Sequence, residues 1–255
     1  MGIFDLLSPW FSWLDGVLLE VVSSPLLRLT LWGIAGSALS MWLYVRFSSQ
    51  EKLAQLKLEL IETRQSLAQY DSDFKGALEI IQRLLTLSLK QIGLVIGPTI
   101  LASLPVLFLL VWLGTTYNYH LPTPGTLVEV KLFPSQVKLQ WHPQANQGLG
   151  EGQWQMKWPT NEQPLQLHDS TGQLITTFPW SQAIPILHKR QWWNLFIGNP
   201  VGYIPQHADL ERLEIALPEN KYLTFGPEWM QSSEAFFLIV MLLCSVAIKL
   251  GFRIH

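Results

Sequence analysis

Several stretches of the chain carry residue types that do chemistry in other proteins. Ser49-Gln50-Glu51-Lys52 has the Ser-x-x-Lys spacing in which a lysine sits one helical turn from a nucleophilic hydroxyl. His168-Asp169-Ser170 places the three residue types of an acyl-transfer triad side by side. Neither pattern has the companions such chemistry needs. A triad is defined by geometry rather than adjacency, and Asp169-Ser170-Thr171-Gly172 reads as a turn between two short apolar runs. Ser48 with Glu51 reads as a capping box, which satisfies orphan donors at a helix start and accounts for the serines there. The histidines (His120, His142, His168, His188, His207 and His255) lack metal-ligand spacing. A single cysteine, Cys244, excludes a disulfide scaffold and a cysteine-based zinc site. No nucleotide-binding or kinase signature is present. The expectation is a protein that is not an enzyme and uses no cofactor and no metal. Trp192-Trp193 beside Lys189-Arg190 remains open as a carbohydrate or lipid-headgroup contact, or as packing and interfacial anchoring.

The elements that position these residues follow from the distribution of charge. The chain has 255 residues, 49% of them apolar and only 14% charged, against about 25% charged in an ordinary soluble domain. A net charge of −2 excludes a globally basic nucleic-acid binder. A hydrocarbon core needs roughly 20 apolar residues in a helix. Residues 26–47 meet that test with only Arg28 and Arg46 charged, residues 92–114 with no charge, and residues 234–252, uncharged from Ala235 until Lys249 near the end. Basic residues in short loops mark the cytoplasmic side. Residues 1–25 contain none, whereas Arg46, Lys52, Lys57, Arg64, Lys75, Arg83 and Lys90 cluster after the first span, and Lys249 and Arg253 close the chain. The expected topology has the N-terminus outside, 48–91 inside, 115–233 outside and a 253–255 tail inside. The expected location is a bacterial inner membrane, crossed three times.

Residues 1–25 lack the basic start of a signal peptide. Phe4, Leu7, Trp10, Phe11, Leu14, Val17, Leu18 and Val21 have helical spacing, with Asp5, Ser12 and Asp15 elsewhere. This predicts a helix lying on the outer leaflet, with Ser23-Ser24-Pro25 turning into the first span. After that span, Leu53, Leu56, Leu60, Leu67, Tyr70 and Phe74 repeat at heptad spacing, with Thr63 in register. Asp71-Ser72-Asp73 interrupts them. Ala77, Ile80, Ile81, Leu84, Leu85 and Leu87 then run into the second span without a stop signal. Residues 48–91 are thus expected to form a cytoplasmic coiled-coil hairpin.

From Thr126 the period changes to two. Leu127–Leu132, Val137–Trp141, Trp154–Trp158, Leu165–Leu167, Leu174–Phe178, Leu213–Leu217 and Tyr222–Phe225 read as short strands, enough for a small β-sandwich. The expected fold class is an α-helical membrane protein: three transmembrane helices, a cytoplasmic coiled-coil hairpin and an extracytoplasmic β-sandwich-like domain.

That order of elements, with residues 48–114 containing QEKLAQLKLELIETRQSLAQYDSDFKGALEIIQRLLTLSLKQIGLVIGPTILASLPVLFLLVWLG, resembles the minimal core of the YidC/Oxa membrane-protein insertase superfamily. In that superfamily a charged coil runs into a proline-containing span, as here with Pro98 and Pro105. Members of that superfamily from Gram-negative bacteria carry a large β domain before the core, whereas the β domain expected here sits between the second and third spans. The resemblance implies insertion or assembly of membrane proteins without chemical catalysis, through a polar groove in the bilayer. Groove candidates are Arg28, Thr30, Ser37, Ser40, Thr99 and Ser103. Arg28 either faces such a groove or snorkels to the outer headgroups. Thr30, Gly33, Ser37 and Ser40 share a face and serve equally well for close helix packing. A break at Gly97-Pro98 is expected to kink the second span. The partners implied are the lipid bilayer, nascent or client membrane proteins gripped by Leu53, Leu56, Leu60, Leu67, Tyr70 and Phe74 of the coiled coil, and an extracytoplasmic protein on the β domain. The alternative is a structural subunit of a bacterial envelope complex.

Overall fold

In the computed structural model, residues 2–71, 73–137, 139–143, 147–150, 152–197 and 199–252 are described. The expected turn position Ser72 and the 253–255 tail with Arg253 and His255 lie outside them. Among the described residues, five α-helices and eight short strands follow one another. They are α1 (Ser8–Val21), α2 (Pro25–Phe47), α3 (Gln50–Ala68), α4 (Phe74–Thr116), β1 (Leu127–Phe133), β2 (Gln140–His142), β3 (Gln147–Gly150), β4 (Gln153–Lys157), β5 (Leu165–His168), β6 (Leu174–Phe178), β7 (Ile186–His188), β8 (Arg212–Ile215) and α5 (Ser233–Phe252). Three of the helices, α2, α4 and α5, are long and apolar enough to cross a membrane. The chain divides into two compact units, residues 1–29 with 108–236, and residues 30–107 with 237–255.

The first unit holds the strands. The named strands pair antiparallel, in a five-stranded sheet of order β3-β4-β1-β8-β7 and a three-stranded sheet of order β2-β5-β6. Alternation in β1 turns Val128, Val130 and Leu132 inward, where they join Trp141, Met156, Leu167, Phe178 and Leu213 in one apolar core shared by both sheets. Phe178 is fully buried and stacks on Trp180 at 4.9 Å. Burial of a ring of this size is worth about 1.5–3 kcal/mol. The reversal between β5 and β6 is an Asx turn: Asp169 Oδ1 accepts from the Thr171 and Gln173 amides at 2.9 and 2.8 Å and from Thr171 Oγ1 at 2.6 Å. These bonds, the hydroxyl's foremost, hold the Asp169 carboxyl below its usual range. Residues 222–225 do not form the expected strand, because the Tyr222 hydroxyl is drawn to the Tyr117 carbonyl and its amide to Gln231.

The second unit holds the hairpin and most of the apolar helices. Chain reversal between α3 and α4 is closed by Tyr70, whose hydroxyl donates to Asp73 Oδ1 at 2.7 Å. Its ring lies so close to Gly76 that a Cβ there would fall 1.8 Å from the Tyr70 oxygen. Lys52, Gln55, Leu56 and Glu59 face Lys90, Gly93 and Leu94 across a groove of about 410 Å³, so the two helices run antiparallel. Leu53, Leu60 and Thr63 are buried at spacings of seven and three, and Leu87 is buried on α4. Leu56, Leu67 and Tyr70 are half-buried, and Phe74, the first residue of α4, is 80% exposed and outside the seam. The expected capping box is not formed: Ser49 is the N-cap and makes no side-chain cap bond, and Ser48 Oγ has no partner. α4 continues as one 43-residue helix through Pro98 and Pro105, with no interruption at Gly97.

Candidate functional site

The first unit contains a buried polar junction built from the ends of its helices. Asp15 lies on α1, Arg28 in the first turn of α2 and Tyr117 just past the end of α4. The Ser23-Ser24-Pro25 reversal lets α1 fold back, so that Arg28 Nη1 donates to Asp15 Oδ2. Tyr117 donates its hydroxyl to Asp15 Oδ1 at 2.5 Å, and the Arg28 guanidinium lies 5.5 Å from the Tyr117 ring centre. Only 12% and 10% of the Arg28 and Asp15 side chains are exposed. Two charges so withdrawn from water are compatible with the fold only as a hydrogen-bonded pair.

The neighbouring residues of the Tyr117 backbone complete the junction. The Tyr117 carbonyl accepts from Asn220 Nδ2 and from the Tyr222 hydroxyl, both at 2.8 Å. Burial foremost, then the hydrogen bond to the Asp15 carboxylate, raises the Tyr117 phenol; burial pushes Tyr222 up to about 12. Asn118 Oδ1 accepts from the Ser233 amide at 3.1 Å and hydroxyl at 2.5 Å, while its Nδ2 donates to Glu234 Oε1 at 2.5 Å. The first turn of α5 is thereby tied to the end of α4. The junction ties α1, the start of α2, the end of α4 and the start of α5 together.

α1 itself is turned inside out relative to a soluble amphipathic helix. Two of its polar side chains meet protein, Asp15 as above and Ser12, whose Oγ accepts from Trp112 Nε1 at 3.0 Å, while Glu20 is exposed. Its apolar positions face outward, with Trp10, Trp13, Val17 and Val21 between 47% and 83% exposed. Asp5 accepts from the Gly2 amide at 2.8 Å ahead of the helix.

Of the groove candidates, Arg28 belongs to the first unit, where it is paired with Asp15. The other five lie in the second unit. There Ser37, fully buried, shares a 2.9 Å hydrogen bond with Ser245 of α5, and Ser40 donates to the Ala102 carbonyl of α4 at 2.8 Å. Gly33 meets α5 so closely that a Cβ would stand 2.8 Å from Val240 Cγ1. The Gly33-Ser37-Ser40 stripe is therefore a helix-packing surface of the kind small residues provide. Thr30 is half-buried, Thr99 is exposed on α4, and Ser103 returns its hydroxyl to the Ile100 carbonyl of its own helix. On the other side of α2, Ala38, Met41, Trp42 and Val45 line an apolar groove of about 560 Å³ with Ile248 and Phe252 of α5.

Comparison with known protein families, curated proteins and solved structures returned no match. Among the described residues, no group of three or more His, Cys, Asp or Glu side chains is placed to hold a metal ion. His168 and His142 meet edge to face at 5.0 Å, and Asp169 stands 4.0 Å from His207. Asp169 is committed to the turn between β5 and β6 through Thr171 and Gln173. Asp15 and Tyr117 are the residues that sequence reasoning left out. The available signal was charge balance: Asp15 and Arg28 are 13 residues apart across a Ser-Ser-Pro turn, and Arg28 is the first basic residue of the chain.

Proposed function

We propose that this protein is a membrane-embedded factor that assists the insertion or assembly of other membrane proteins, without chemical catalysis. One observation supports the reading foremost. The apolar helices α2, α4 and α5 cover one another so little that only 28%, 17% and 6% of their most apolar stretches are buried. Faces left this bare are stable in lipid or against other apolar helices, and not in water. In the proposed arrangement the coiled-coil hairpin of α3 and the first turns of α4 lies in the cytoplasm, where its basic residues keep it, and receives client chains. A client helix then passes against α2, α4 and α5. Thr99 and Ser103 of α4 offer hydroxyls that ease the passage of polar backbone, each unsatisfied group of which costs several kcal/mol in hydrocarbon. The element order resembles the YidC/Oxa core, in a bacterial inner membrane with the β domain outside.

A second reading, a structural subunit of an envelope complex, is favoured by the Ser37–Ser245 and Ser40–Ala102 bonds and the paired Arg28, which spend on internal packing the groups an insertion path would use. Photocrosslinking in living cells from positions 30, 99 and 103 separates the two. Capture of many nascent membrane chains supports insertion. Capture of one fixed partner at all three positions sinks it in favour of the scaffold.

A further inference from the structure

We infer that the β domain carries its own membrane anchor, the loop Gln191–Ile197, which enters the outer leaflet beside α1. The inference rests on the reading above that α4 spans the bilayer. Trp192, Phe196 and Ile197 are 77%, 48% and 53% exposed, three large apolar side chains within six residues. The loop that presents them is rigidly built. Asn194, 2% exposed, accepts from the Gln191 amide at 2.9 Å and donates to the Lys189 carbonyl at 3.0 Å, and its own carbonyl receives the Tyr203 hydroxyl at 3.0 Å. Trp193 is turned back onto His188 at 5.0 Å. A loop so tied down around a buried asparagine holds Trp192, Phe196 and Ile197 outward at a fixed place.

Depth along α4 says what covers these residues. The Phe4 amide donates to the Phe196 carbonyl at 3.0 Å, and the Phe4 ring packs on Phe108 of α4 at 5.3 Å. Phe108 lies eight residues before the end of α4 at Thr116, about 12 Å down the helix axis at 1.5 Å per residue. Thr115 shares a cavity of about 180 Å³ with Ile197 and Tyr203, so the loop flanks the last turns of that helix. Phe108 lies within the charge-free stretch 92–114, and Thr115 directly follows it. A loop at that level meets acyl chains and headgroups rather than solvent. Arg190 follows the same pattern: exposed, its guanidinium held 5.7 Å over the Tyr203 ring, it stands next to the aromatic residues as cations do at the headgroup level. The apolar face of α1 and this loop thus form one lipid-facing surface, tied together by the Phe4–Phe196 hydrogen bond.

The test uses the full chain with Cys244→Ser, reconstituted in phosphatidylethanolamine–phosphatidylglycerol nanodiscs with or without lipids brominated on the acyl chain. A single fluorescent label is placed by Trp192→Cys or, independently, Ile197→Cys. Leu242→Cys on the exposed face of α5 reports the spans, and Leu174→Cys at the start of β6 reports the sheet. The expected result is quenching by brominated lipid at 192, 197 and 242, and quenching by aqueous iodide only at 174. Iodide quenching at 192 and 197 with lipid quenching at 242 overturns the anchor while leaving the spanning helices intact. Protection of 192 and 197 from both quenchers also overturns it, since a protein then covers the loop. Iodide quenching at 242 removes the spanning reading itself and the anchor with it.

Discussion

Truncating the carboxylate of the buried ion pair, Asp15→Ala, leaves the Arg28 guanidinium nine-tenths buried with no anion beside it and removes the acceptor of the Tyr117 hydroxyl. Breaking one partner out of a buried pair costs about 3–5 kcal/mol, mostly the penalty of the stranded charge. For a chain of this size each kcal/mol moves the melting temperature by about 2–4 °C, so the expected loss is roughly 6–20 °C. The double substitution Asp15→Leu with Arg28→Met removes both charges at similar volume and is expected to melt at or above the parent, because an apolar replacement avoids the desolvation that the pair must offset. The assay is thermal unfolding of the detergent-purified full chain, followed by tryptophan fluorescence, for the parent, Asp15→Ala, the singles Asp15→Leu and Arg28→Met, and their double. If Asp15→Ala melts within about 1 °C of the parent, or the two substitutions add instead of cancelling, the pair is not the closed junction described above.

Three further outcomes follow from the same junctions. Gly33→Leu drives a side chain into Val240 and is expected to cost about 1–3 kcal/mol by overpacking; Val240→Ala in the same chain should restore part of the loss in the melting assay. Asn118→Ala strands the buried Ser233 amide and hydroxyl and loosens the start of α5, for about 1–3 kcal/mol, read as a lower melting temperature. Because burial raises the phenols of Tyr117 and Tyr222, the latter to about 12, the folded chain holds protons that the unfolded chain releases near pH 10. The contribution of these two tyrosines to stability should be constant below pH 10 and fall as the pH rises toward 12, and Tyr222→Phe should reduce that slope; equal melting temperatures at pH 9 and pH 11 would contradict the assignment.

The apolar helices were legible in the sequence because lipid-length runs without charge have few other readings. Residues 26–47, 92–114 and 234–252 lie within α2, α4 and α5. Period-two alternation likewise marked β1, β4, β5 and β6, whose inward positions fill the core. β7, at three residues, is too short for alternation to register, and β3 contains two glycines. Tyr222–Phe225 has strand composition, yet a side-chain hydroxyl bond to the Tyr117 carbonyl decides its path, and such bonds leave no periodic trace. The polar junction was hidden for a related reason. Spacing placed Asp15 off the apolar face of α1 but could not say whether that face met lipid or protein. Once α1 folds back through Ser23-Ser24-Pro25, the polar side becomes the protein side. Ser37 and Ser40 were ambiguous between groove and packing, and their partners Ser245 and Ala102 are separated from them by the hairpin and the β domain.

The central claim concerns insertion, and its most direct measurement is reconstitution. Purified full-length protein is placed in liposomes of phosphatidylethanolamine and phosphatidylglycerol, and a short single-span membrane protein is synthesised in their presence. Protease protection of the translocated end is then compared with protein-free liposomes. The account predicts a clear rise in the protected fraction that is lost when the α3–α4 hairpin is replaced by a short linker. Equal protection with and without the protein would contradict it.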